Sequence, residues 1–199
     1  MIAEFLRAEI DSSRFAPQLL PFMEAVGSQR GELMQPDLED EAQNQRRARI
    51  LGGYRGWRQG TALFAGFPEI RRWERATIAG DDFKGFFYSA APEWVEFSKG
   101  TCSPLVAAQR ITSGELALTD IGLAHISAIA ARLDAGDMFP PILAVGSTTG
   151  SLAVIFEGAS RITAHLMVNG TEPTEIIYGV AGIGPLTQRR WFPRDRQLG

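Results

Sequence analysis

Apolar positions recur at helical spacing early in the chain and in short continuous runs late in it. Residues 2–9 and 16–26 predict helices, the second limited by Pro17 and Pro21. The stretch 27–38, with Gly27, Gly31 and Pro36, predicts a linker. The acids from Asp37 to Glu41 lead into a helix that carries Arg46 to Ile50, an order that suits the helix dipole. Gly52-Gly53 is the expected stop of that helix. A turn-rich, aromatic stretch with Tyr54, Trp57, Phe64 and Phe67 follows. Residues 70–78 fit a short strand or a short helix equally well.

The second half is more regular. Residues 86–88 and 94–97 predict short extended segments. Ser103-Pro104 opens a helix through Ile111, with proline at a tolerated early position. Asp120 is the expected cap of a helix over 121–133, on which Ile126, Ile129, Ala130 and Leu133 share a face, and Gly136 ends it. The apolar runs 141–145 and 152–156 predict strands covered on both faces, joined by a polar turn over 146–151. A helix over 160–168 ending at Asn169-Gly170, and a last strand over 175–180, complete the pattern. The expected organisation is a mostly helical extension over 1–80, a core over 81–182 and an irregular tail over 183–199. The expected fold class is α+β, with α/β-like succession in the core.

Composition narrows the classes. The chain has 199 residues, 45% hydrophobic and 22% charged, which suits a folded domain rather than a disordered one. A single cysteine, Cys102, excludes a disulfide scaffold. No apolar run reaches membrane-spanning length and the start lacks a basic segment followed by an apolar one, so a cytoplasmic setting is expected. Twenty Lys and Arg against 23 Asp and Glu give a net charge of −3, so nucleic-acid binding is not expected from charge. Lys84 and Lys99 are the only lysines; the arginines cluster at Arg46, Arg47, Arg49, Arg55 and Arg58, read as solvated helix faces.

The chemistry-bearing pattern is a strand, then Glu157-Gly158-Ala159-Ser160-Arg161, then a helix. Glycine at such a turn lets the backbone approach a ligand, and the first-turn amides carry partial positive charge. Ser160 adds a hydroxyl and Arg161 a forked cation, which together suit phosphate or carboxylate; capping of the helix by Ser160 is the competing reading. The order of elements, with Pro140-Pro141-Ile142-Leu143 before the strands and the run from Phe156 to His165 after them, resembles the ParB/sulfiredoxin superfamily over roughly residues 85–182. The segment from Trp94 to Thr101 is similar to one in uncharacterised bacterial members of the ParB-like nuclease-domain type. The resemblance implies a nucleotide-binding protein, with NTPase or small-molecule kinase chemistry, Mg²⁺ and ATP or CTP as cofactors. Members also include DNA-partition CTPases, sulfiredoxins and proposed nucleases. Ala159 stands where a sulfiredoxin needs its cysteine, which argues against that activity, and Ala159-Ser160 replace the glutamate and first arginine of the partition proteins. A helix-turn-helix reader is not expected after the last strand, so a DNA-binding function is the weaker expectation.

Around this turn, Glu157 is a candidate to hold a metal ion or act as base, or else a strand-end carboxylate paired with an arginine. His165 is one helical turn beyond Arg161 and is a candidate ligand contact or a packed histidine. Lys99 and Thr101, in Ser98-Lys99-Gly100-Thr101, are candidates for a second phosphate contact, with Glu96 a nearby acid for Mg²⁺ or catalysis. No set of His and Cys suits a zinc site. The alternative of another class is a non-catalytic regulatory or interaction module with the Arg-rich N-terminal region as its partner surface.

Overall fold

In the computed structural model the chain divides after Phe67 into two compact units. Residues 1–116, 121–147 and 152–181 are described here. Asp120 as a helix cap, most of the turn over 146–151 and the tail from 182 lie outside the described residues.

The N-terminal unit is helical: α1 (Ile2–Asp11), α2 (Ala16–Ala25), α3 (Arg30–Met34) and α4 (Glu41–Arg55). Phe5, Leu6 and Ile10 of α1, Leu19 of α2, Leu33 of α3, and Ile50 and Leu51 of α4 are buried. Burial of Leu33 explains why a short helix stands where a linker was expected. Asp40 caps α4 by accepting the Gln43 N–H at 3.0 Å. Gly52 and Gly53 do not stop α4. A Cβ on Gly53 would stand 2.8 Å from the Phe22 ring, so this glycine lets α2 pack closely against α4. The stop is Gly56, in the left-handed region at φ 80°, whose N–H bonds back to the Gly52 carbonyl.

The arginine cluster is less solvated than expected. Arg47 is 2% exposed, and its guanidinium donates to the Asp37 carbonyl and the Asn44 side chain, both at 2.7 Å. Arg55 donates to Glu9, itself 2% exposed, at 2.9 Å, and Tyr54 donates to the same carboxylate at 2.7 Å. These arginines hold the helical unit together.

The second unit is an α+β fold. Its strands are β1 (Ile70–Ile78), β2 (Phe86–Tyr88), β3 (Ile142–Ser147), β4 (Ala153–Glu157) and β5 (Thr174–Ala181), in the sheet order β1-β5-β3-β4-β2. Its helices are α5 (Pro92–Phe97), α6 (Pro104–Thr112), α7 (Ile121–Asp134) and α8 (Ala159–Val168). The sheet is mixed: β1–β5 and β3–β4 are antiparallel, β3–β5 and β2–β4 parallel. Because β1 pairs with β5 over eight register positions, from Ile70↔Ala181 to Ile78↔Thr174, the sheet begins well before residue 81, and the expected boundary of the extension moves to Phe67. Residues 94–97 are helical rather than extended, with Pro92 at the first turn and the Trp94 and Phe97 rings meeting 5.6 Å apart.

Successive residues of β4, from Ala153 to Phe156, are all buried, so both faces of the central strands are withdrawn from solvent as the apolar runs predicted. Registers place the ends of β1, β2 and β4 and the starts of β3 and β5 at one end of the sheet: Glu157 faces Leu143, Tyr88 faces Ile155, Ile142 faces Ile176 and Ile78 faces Thr174. Helix α8 leaves that end after β4 and delivers the chain back to it at β5, crossing the position of β3. No helix among the described residues is long and apolar enough to cross a membrane.

Candidate functional site

The turn between β4 and α8 sits at this shared end. Gly158 has φ 93° and ψ 20°, a left-handed conformation that turns the chain from strand to helix within one residue. The first helical bond runs from the Ile162 N–H to the Gly158 carbonyl at 2.9 Å. The amides of Ala159, Ser160 and Arg161 therefore precede any intrahelical acceptor and form the positive end of the helix. Ser160 is inside the first turn, and the cap residue is Gly158 with no side-chain bond, so capping by Ser160 does not occur.

Arg161 does not point out as a free fork. Its Nη1 donates to the Pro140 carbonyl at 2.6 Å and its Nη2 to Glu157 Oε1 at 2.9 Å. Its side chain is 10% exposed and that of Glu157 20%. The guanidinium folds back over the turn, where a Cβ on Gly158 would stand 2.9 Å from Nη2. One side chain thus joins the approach to β3, the end of β4 and the start of α8. Glu157 is the paired strand-end carboxylate of the two readings open in the sequence.

A buried hydroxyl relay supports the same turn. Thr163 Oγ1 donates to the Ala159 carbonyl at 2.7 Å, so the Tyr88 hydroxyl, in hydrogen-bond contact with Thr163, is the donor to it. Burial pushes the Tyr88 phenol up, well above its ordinary value, which keeps it protonated as this donor. Trp94 stacks on Tyr88 with ring centres 4.6 Å apart, and the Tyr88 N–H bonds to the Cys102 carbonyl at 2.7 Å. The loop from Ser98 to Cys102 is thereby tied to the end of β2. Pro140, Tyr88 and Thr163 were not legible as site residues, since their partners lie 21 and 75 positions away and carry no local spacing signal.

The remaining candidates make their bonds elsewhere. Lys99 is 73% exposed, adopts φ 55° and lies 3.7 Å from Glu115. Thr101 Oγ1 donates to the Ser98 carbonyl at 2.7 Å and accepts from the Ser103 N–H. Glu96 is an exposed residue whose backbone carbonyl accepts from Arg110 at 2.7 Å. Neither hydrogen bond nor ion pair links Lys99, Thr101 or Glu96 to the Gly158 turn. His165 is engaged by other partners: its Nε2 donates to the Glu172 carbonyl at 3.0 Å, Nδ1 accepts from Asn169, and the ring lies near Phe83. At 8% exposure it is a packed histidine that closes the loop into β5. Among the described residues no group of three His, Cys, Asp or Glu is placed to hold a metal ion.

No family model matches this chain, and no curated protein or solved structure matches it.

Proposed function

We propose that the sheet unit is a ParB/sulfiredoxin-like module that binds a phosphate-bearing ligand, a nucleotide foremost, at the start of α8. The observation that carries this reading is the left-handed Gly158, which presents the amides of Ala159 and Ser160 at a positive helix end with the Arg161 guanidinium folded across the glycine. The succession of strand, Gly158 to Arg161, helix and strand supports the superfamily part of the proposal.

The arrangement favours binding over turnover. Phosphoryl transfer needs a carboxylate available to Mg²⁺ or to a reacting hydroxyl. Glu157, the acid beside the turn, is committed to Arg161 instead. ATP or CTP with Mg²⁺ would therefore act as a regulatory ligand, and a protein partner would read the bound state.

Thermal unfolding against ATP, CTP, GTP and inorganic phosphate tests the reading, with Ser160→Glu as the control. A carboxylate at the first turn suits the helix but repels a phosphate. The expected result is a nucleotide-dependent rise in the midpoint that Ser160→Glu removes. No rise with any of them overturns the proposal.

A further inference from the structure

We propose that the hollow beside β1 and β5 is a second binding site, for a small planar amine whose ring lies on apolar strand residues and whose cation faces Glu74 and Asp82.

The hollow follows from side-chain size. Register places Ala76 of β1 opposite Ile176 of β5, and Ala153 of β4 opposite both Gly146 of β3 and Phe86 of β2, all on one sheet face. Small residues beside large ones leave a groove of about 360 Å³, with Ala76, Ala153, Ile176 and Phe86 in its wall. That is the size range that small organic ligands occupy. Gly146 keeps the groove open in its own way. A Cβ there would stand 1.7 Å from the Tyr178 hydroxyl, so only glycine lets the Tyr178 ring lie back across β3.

The lining selects charge. Its charged residues are two carboxylates, Glu74 and Asp82, against one guanidinium, Arg72. Asp82 uses one oxygen to accept the Ala79 N–H, and Arg72 pairs with Glu74 on an exposed surface, 66% and 46% accessible. Exposed pairs of this kind contribute only about 0–1 kcal/mol, so an incoming ammonium exchanges with Arg72 at little cost. The same lining disfavours a phosphate, which separates this groove chemically from the Gly158 turn. Tyr178 adds a neutral hydroxyl, since burial and the nearby Glu74 charge both push its phenol up.

Tryptamine and indole-3-acetate share a ring and differ in charge. Saturation-transfer NMR of each with the full chain, its Ala76→Trp and Ala76→Leu variants and its Glu74→Gln variant tests the site. The expected result is saturable tryptamine binding that Ala76→Trp abolishes, Ala76→Leu weakens and Glu74→Gln weakens about two- to fivefold, with indole-3-acetate weaker than tryptamine throughout. Absence of saturable tryptamine binding overturns the proposal. So does binding that both Ala76 variants leave unchanged, or equal binding of the two indoles.

Discussion

The Arg161 guanidinium lies across Gly158, close enough that a Cβ on the glycine would stand 2.9 Å from Nη2 and 3.2 Å from Cζ. The three-residue spacing of these two residues is thus a packing requirement: the arginine reaches Glu157 and Pro140 over a bare backbone. Gly158→Ala meets both this contact and the left-handed φ of 93°. It is expected to cost about 1–3 kcal/mol, read by urea unfolding. A cost near zero would show that the turn relaxes freely.

Tyr88 and Thr163 form an asymmetric pair. Tyr88→Phe leaves Thr163 with its bond to the Ala159 carbonyl and is expected to cost about 0.5–1.5 kcal/mol. Thr163→Val strands a fully buried phenol and is expected to cost more, about 1–3 kcal/mol, with the double variant no worse than Thr163→Val. The pH dependence has a fixed sign. The folded state holds the Tyr88 proton more tightly than the unfolded chain does, so this contribution is complete below the ordinary phenol value of 10.0 and is lost as pH rises above it. Wild-type stability should fall above that pH, and Tyr88→Phe should fall less steeply; Tyr178, shifted in the same direction, accounts for a remainder.

Glu157 occupies Arg161 as an internal anion. Glu157→Gln removes that competitor, and the expected outcome is tighter nucleotide binding by isothermal titration together with a stability loss of about 1–3 kcal/mol from the lost charged hydrogen bond. If Glu157 were a catalytic base, the same variant would lower turnover without tightening binding.

In the helical unit, burial separates two ion pairs of similar geometry. Glu9 is 2% exposed and accepts from Arg55 and Tyr54, whereas Glu32, 25% exposed in its side chain, accepts from Arg46 at 2.7 Å. Glu9→Gln is expected to destabilise by about 1–3 kcal/mol, because a buried carboxylate loses its charged hydrogen bonds to Arg55 and Tyr54. Glu32→Gln should cost far less, and its cost should shrink with added salt while that of Glu9→Gln should not.

The central strands and α8 were legible because their signals are local: continuous apolar runs, a glycine at the turn, and a glycine after the helix. The Gly158 turn was legible for the same reason. Segment 70–78 was ambiguous because β1 is an edge strand with charged residues on both faces, Arg72 and Glu74 on one and Arg75 on the other, so it has no alternation to read. Residues 94–97 look extended because six residues of α5 are too few to show a helical period. Gly52-Gly53 reads as a stop unless one knows that Phe22 packs against Gly53. The engagement of Arg161 was half visible. Its spacing from Glu157 offered the pair, but the Pro140 carbonyl lies 21 residues earlier, at the approach to β3, and no spacing reports that.

The most direct test of phosphate binding at the start of α8 is a titration of ¹⁵N-labelled protein with ATP and with inorganic pyrophosphate, followed at the backbone amides. The expected result is saturable shifts largest at Ala159, Ser160 and Arg161, absent in Ser160→Glu. Shifts confined to other segments, or none at these three amides, would contradict the assignment of the Gly158 turn as the binding site.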